Sequence, residues 1–269
     1  MSGPPAGRAD RDRPLRLVVL GDSTAFTDAT GPQLPGHPGL YPTIATDRLQ
    51  AALDREVTAQ VVARPGQTVR DAARAVTKDQ HLMFEVLAHA DAIIVGLGSF
   101  DHAPVGVPPS VEALIPYVRP TTRRRQVREQ LRRCYPRLVR LRGGHRPRTP
   151  AEEFARLYRL LLEQLRGLTQ GRAAGVALGP TSHTSAYYGH RHPGVTRATT
   201  RQLGIAQQHG FVGVACWPHV RLHLPDLNPD GIHWPEAVHR RIGTAAAEAL
   251  APQFTGELPT IGMPGTRVR

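Results

Sequence analysis

Leu15-Arg16-Leu17-Val18-Val19-Leu20-Gly21-Asp22-Ser23 decides how the rest of the chain reads. Leu17 to Leu20 is an unbroken apolar run, and Gly21 turns it abruptly into Asp22-Ser23. A run without polar alternation is the pattern of a strand buried on both faces, as in a parallel sheet. A serine just past the carboxyl end of such a strand sits where open α/β sheets bind ligands. Gly21 permits a tight turn, and the N–H groups after it can point at an anion. Two readings of Ser23 stand at this point: a nucleophile, or an ordinary serine capping the helix that follows.

The far end of the chain bears on that choice. Asn228-Pro229-Asp230-Gly231-Ile232-His233-Trp234-Pro235 sets an aspartate three residues before a histidine, in a Pro/Gly-rich loop that opens a helix. A nucleophilic serine needs a base, and the base needs an acceptor that fixes its tautomer and steadies its charge. Two further blocks lie between. One is Arg64-Pro65-Gly66-Gln67-Thr68; the other is Gly98-Ser99-Phe100-Asp101, after an apolar run.

Taken in order, these four blocks resemble the SGNH, or GDSL, family of serine esterases and acyltransferases. The resemblance implies an SGNH-type three-layer α/β fold with a five-stranded parallel sheet flanked by helices. It implies Ser23 as nucleophile, His233 as base and Asp230 as its orienting acid. The family's oxyanion hole uses the serine N–H, the N–H of the second-block glycine and an asparagine side chain in G-x-N-D. Ser23 and Gly66 match the first two. Phe100 stands where the asparagine belongs and offers no side-chain donor. Losing one such donor costs about 2.7–4 kcal/mol in the transition state. Gln67, Ser99 and Thr24 are the candidates to replace it, and the sequence does not choose among them. Phe100 either packs under the loop or lines an acyl pocket. With Asp101 it is assigned to the substrate pocket, although Asp101 also suits a hydrogen bond to its own turn.

A narrower resemblance, to one acyltransferase branch, is carried by the Gly21-Asp22-Ser23 start, the long 24–41 loop, the altered third block and the arginine-rich segment. It implies transfer of a medium-chain acyl group, octanoyl, from an acyl-CoA donor to a sugar hydroxyl of a glucosylglycerate-type acceptor. The partners expected are thus a small-molecule acyl donor and a sugar acceptor, with no resident cofactor. The alternatives are a carboxylesterase or carbohydrate esterase, and a catalytically dead anion-binding protein of the same fold.

The formal net charge is +12, and Lys78 is the only lysine, so the basic charge is nearly all arginine. Arginine, alanine, proline and glycine together follow GC-rich codons, which discounts part of the charge. Its clustering is not discounted. Twelve arginines between Arg119 and Arg148 face one acid, Glu129. Three uses stand: a solvated helical face, nucleic-acid binding, or an anion site, with Arg132 and Arg133 as representatives. Only Tyr117 and Tyr135 interrupt the segment, so base stacking is poorly served. The guanidinium fork suits carboxylate and phosphate, which favours an anionic small molecule over nucleic acid. The two cysteines, Cys134 and Cys216, are far apart and without metal spacing. Neither a metal nor a disulfide is expected. No apolar run is long enough to span a bilayer and no signal peptide is read, so a cytoplasmic protein is expected, with no membrane partner.

The order of elements follows. Residues 1–13 read as disordered, 14–250 as one catalytic domain with an Arg-rich helical insertion at about 119–148, and 251–269 as a loose tail. Strands are expected at 15–20, 57–62, 91–96, 175–178 and 211–216. Helices are expected at 43–53, with Ile44, Leu49, Ala52 and Leu53 inward, at 69–89 with a break near 78–81, at 196–209 and at 235–250. Val127, Leu131, Cys134, Leu138 and Leu141 recur at helical spacing, and Pro136 is expected to kink or split that helix. Thr149 is expected to cap the next helix, with Glu152 completing a capping box. The Gly/Pro-rich stretch 24–41 is expected to roof the site. Strands alternating with helices give a parallel α/β sheet.

Overall fold

The computed structural model describes residues 13–256. β1 (Leu15–Gly21) leads into a small antiparallel hairpin, β2 (Thr27–Asp28) and β3 (Gly31–Pro32), then α1 (Tyr41–Leu53). β4 (Val57–Ala63), α2 (Val69–Lys78), β5 (Ala92–Gly96) and a short α3 (Ser99–His102) follow. α4 (Pro109–Leu114), α5 (Thr121–Leu141) and α6 (Ala151–Leu168) come before β6 (Ala174–Leu178). The chain then forms α7 (Val195–Gln208), β7 (Val212–Val214), α8 (Trp217–Val220) and α9 (Glu236–Thr255). The main sheet has the order β4-β1-β5-β6-β7, every pair parallel.

Both faces of the sheet are covered, which is why β1 needed an unbroken apolar run. Val18, Leu20, Ile93, Val95 and Ala177 pack on one side with α2, α6 and α7. Leu17, Val19, Ile94, Val176 and Leu178 pack on the other with α1 and α9. The register matters most for function. Gly21 lies opposite Ala63 on β4 and Gly96 on β5. Three strands therefore end level, and the blocks that follow them emerge side by side. The order reverses at β1, so this edge is the switch point where such sheets form ligand crevices.

Several local expectations are corrected. The helix after β4 does break: Thr68 and Asp71 form its capping box, α2 stops at Lys78, and a π-helical turn takes over from His81 to Val86. α1 begins at Tyr41 and buries Tyr41, Pro42, Ala45 and Leu49, leaving Ala52 exposed. β7 is only three residues. α5 runs unbroken through Pro136; the Arg132 carbonyl that loses its N–H partner belongs to an exposed residue. Its buried positions are Tyr135 and Val139, with Leu131 partly covered, while Val127, Cys134 and Leu141 face solvent. Its first half meets the 115–117 turn, where Arg124 donates to the Pro116 carbonyl at 3.1 Å, and its second half packs one side on Ala103 and Tyr188, so much of the apolar stripe stays uncovered.

Thr149 does not cap α6, whose N-cap is Pro150. Its hydroxyl instead donates to the buried Asp101 carboxylate at 2.6 Å, and Glu152 pairs with Arg201. The expected disordered start and loose tail lie mostly outside the described residues. Within them, Arg13 is bonded to Asp91 at 2.7 and 2.6 Å, and residues 251–255 continue α9.

Candidate active site

The carboxyl end of β1 sets the first group. Asp22 is buried, and its Oδ1 accepts from the Thr24 N–H at 2.9 Å and the Thr24 hydroxyl at 2.8 Å. Burial raises the Asp22 carboxyl. These bonds wind Ser23–Ala25 into a single 3₁₀ turn with Ser23 at its head. The Ser23 hydroxyl lies 2.8 Å from His233 Nε2, and His233 Nδ1 lies 2.5 Å from Asp230 Oδ2. With the carboxylate as acceptor at Nδ1, that nitrogen carries the proton and Nε2 is free to accept from Ser23.

Asp230 is held as well as holding. Its Oδ1 accepts the Ile232 N–H at 2.8 Å and the His233 N–H at 3.1 Å. Burial pushes its carboxyl up, but the bonds from the His233 side chain and these two N–H groups outweigh it and leave it lowered. Behind the loop, Trp234 is fully buried against Tyr41 and His239. The Asn228 amide donates to the Asp28 carbonyl at 2.5 Å, and His239 Nε2 to the Thr27 carbonyl at 3.1 Å.

The second and third blocks complete the floor. Gly66 adopts φ +62°, and a Cβ there would lie 3.3 Å from the Phe100 ring, which leans across it. Gly98 adopts φ +107°, and a Cβ there would run into the Gln202 side chain. Gln202 Nε2 bonds the carbonyls of Leu97 and Leu178 at 2.8 and 2.9 Å, tying the ends of β5 and β6 together beneath this turn. Among the described residues, no acceptor takes the N–H of Ser23 or of Gly66.

A cavity of about 150 Å³ opens over Ser23 and His233. Its wall is mainly apolar, built by Phe100, Ala103, Tyr188 and Ile232, with Ser99, Thr181 and His183 as polar members. A larger cavity, about 630 Å³, lies among Arg13, Arg16, Asp91 and Arg172 near the amino ends of the strands, away from Ser23.

No protein-family model matches the chain. It is 31% identical over 241 residues to a diglucosylglycerate octanoyltransferase of Mycolicibacterium hassiacum, covering 87% of this chain and 94% of that one. It is 29% identical to the protein of the same name from Mycobacterium tuberculosis, over 90% of this chain and 94% of that one. The chain belongs to the diglucosylglycerate octanoyltransferase family. By that membership the chain is an acyl-transferring enzyme. The fold is that of the SGNH/GDSL hydrolases: a GDSL-like lipase of Parabacteroides merdae superposes with a TM-score of 0.55 at 11% identity, covering 88% of this chain and 97% of the lipase.

Within this SGNH frame, Ser23, Gly66, Phe100 and His233 meet at one cavity, and Asp230 stands behind His233. Asp101 does not join them. It is fully buried below the turn, accepting from the Val69 N–H at 2.9 Å and the Thr149 hydroxyl at 2.6 Å. Burial raises its carboxyl to about 6 despite those bonds. Its role is to pin α2 and the Thr149 segment to the third block. Arg132 and Arg133 are exposed on α5 and do not line the cavity. Arg148 instead packs on a cavity residue: its guanidinium lies 4.3 Å from the centre of the Phe100 ring and pairs with Glu112 at 2.9 Å.

The 24–41 stretch does not roof the site. Only Thr24 of it lines the cavity, and the β2–β3 hairpin braces the histidine loop from outside through Asp28 and Thr27. The cover comes from the loop after β6, through Thr181, His183 and Tyr188. That loop's run of histidines and tyrosines was the available signal. His102, His183 and His192 cluster there, and burial lowers them to about 4, 3 and 4, so they are neutral. Among the described residues, no group of three His, Cys, Asp or Glu is arranged to hold a metal, and no helix is long and apolar enough to cross a membrane.

Proposed function

We propose that this enzyme forms an acyl-enzyme on Ser23 and passes a medium-chain acyl group, octanoyl, to a sugar hydroxyl of a glucosylglycerate-type acceptor. The observation that carries it is the Ser23–His233–Asp230 relay, with bonds of 2.8 and 2.5 Å, at the foot of an apolar cavity. The names of both relatives supply the acyl group and the acceptor class. In the first half, Ser23 Oγ attacks the acyl carbonyl while His233 Nε2 takes its proton, and Asp230 steadies the imidazolium. The Ser23 and Gly66 N–H groups face the developing oxyanion. His233 returns the proton to the leaving thiol of an acyl-CoA donor. In the second half, the sugar hydroxyl gives its proton to His233 as its oxygen attacks the ester carbonyl, and His233 returns that proton to the departing Ser23 Oγ, which restores the free serine.

Transfer differs from hydrolysis only in which hydroxyl meets the acyl-enzyme. Phe100, Tyr188 and Ile232 cover the cavity with apolar surface, and this shields the ester from water. The charge of Arg132, Arg133 and the other arginines of α5 draws in the phosphates of the donor or the carboxylate of the acceptor. The test is product analysis with octanoyl-CoA in the presence and absence of a glucosylglycerate acceptor. Acylated sugar should dominate when acceptor is present. Free octanoate alone, at any acceptor concentration, would make the protein an esterase.

A further inference from the structure

The geometry points to the Ser99 hydroxyl as the third oxyanion donor, in place of the asparagine that Phe100 displaces. This inference rests on the acyl-enzyme reading and adds a group to it. Three side chains near Ser23 carry donors that the sequence could offer. Thr24 is committed: both its N–H and its hydroxyl go to the buried Asp22 carboxylate, at 2.9 and 2.8 Å. Releasing either would unwind the turn that presents Ser23. Gln67 is turned away and lines a separate cavity with Gln60, Val62 and Asp71. Ser99 remains, and it lines the same cavity as Ser23, Gly66 and His233.

The bonding of Ser99 suits the task. Its Oγ accepts the Thr181 N–H at 3.1 Å. A hydroxyl has one proton to give besides the lone pairs it offers, and among the described residues nothing accepts the Ser99 proton. The Thr181 bond fixes the oxygen, so the free O–H is set in place before substrate arrives. Preorganised donors of this kind stabilise a developing oxyanion without reorganisation. Gly98 at φ +107° and Gln202 beneath it hold the backbone that carries Ser99. The Phe100 ring lies over Gly66, where a side-chain donor from position 100 would otherwise reach. The turn thus places a donor one residue earlier and leaves position 100 free for apolar surface.

The test is Ser99→Ala, assayed on an uncharged octanoyl ester, with an octyl trifluoromethyl ketone as probe of the tetrahedral adduct. We expect kcat to fall about 10²–10³-fold with KM near wild type, and the inhibition constant of the ketone to rise in parallel. Ser99→Cys keeps an acceptor for the Thr181 N–H but is a weak donor; it should fall in the same direction, and it serves if the alanine variant folds poorly. Adding Phe100→Asn to Ser99→Ala should recover at least tenfold of the loss. A kcat loss below fivefold in both variants, or a loss that leaves ketone binding unchanged and is not rescued by Phe100→Asn, overturns the role of Ser99. Those failures leave acylation of Ser23 intact. Failure of the underlying reading would appear instead as turnover that survives Ser23→Ala.

Discussion

Asp230 does two things with one carboxylate: Oδ1 closes its own loop, and Oδ2 holds the His233 ring. Asp230→Asn keeps an oxygen for the loop but replaces an anionic acceptor with a neutral amide, which can present N–H to Nδ1 and favour the wrong tautomer. The rate should drop by about 10³–10⁴ with little change in melting temperature. A drop below tenfold in kcat/KM would mean that His233 is oriented by another group. At this scale the sequence was informative where chemistry fixes residue type. Ser23, Gly66 and the Asp230–His233 pair stand out because a relay needs those groups on short turns. Asp101 was misread because its partners, Val69 and Thr149, are distant in sequence, and burial cannot be seen from the Gly98-Ser99-Phe100-Asp101 block alone. The same bond explains why Thr149 is not a cap.

At the scale of elements, the strands were legible because burial on both faces demands unbroken apolar runs. Helix faces were less so. The α5 stripe was read as if the whole helix packed, whereas it contacts the body only through residues such as Tyr135 and Val139, against Ala103 and Tyr188. What the sequence did convey was its charge. Among the described residues, no arginine of α5 has a carboxylate partner, whereas Arg70, Arg148, Arg201 and Arg240 do. Exposed guanidinium groups without carboxylate partners suit an anionic substrate. Arg132→Gln with Arg133→Gln should raise KM for octanoyl-CoA or for the acidic acceptor severalfold, with the effect shrinking as salt rises. Turnover of an uncharged ester should stay within about twofold. Equal slowing of charged and uncharged substrates would make the segment structural.

On the scale of the whole molecule, the level ends of β4, β1 and β5 gather blocks that lie far apart in sequence, and α9 with the β2–β3 hairpin holds the histidine loop over them. That assembly buries neutral imidazoles. His102, His192 and His239 are lowered to about 4 and His183 to about 3, in each case chiefly by burial. The unfolded chain takes up these protons near pH 6.5 and the folded chain does not, so stability present above pH 6.5 is lost as pH falls toward 4. Asp101 has the opposite sign: raised to about 6, it favours the folded state at low pH and loses that contribution as pH rises through 6. Four imidazoles outweigh one carboxyl. Denaturant unfolding should show a net loss on the order of 2–4 kcal/mol between pH 7 and 5.5. Equal or greater stability at pH 5.5 would contradict the burial of these rings.

The proposed acyl-enzyme on Ser23 can be weighed directly. The enzyme is mixed with an octanoyl ester or octanoyl-CoA, quenched in acid, digested and examined by peptide mass. One octanoyl group should be found on the peptide that carries Ser23. It should be absent in Ser23→Ala and discharged when the sugar acceptor is added before the quench. An octanoyl group on a different residue, or full transfer by Ser23→Ala with no adduct, would contradict the account.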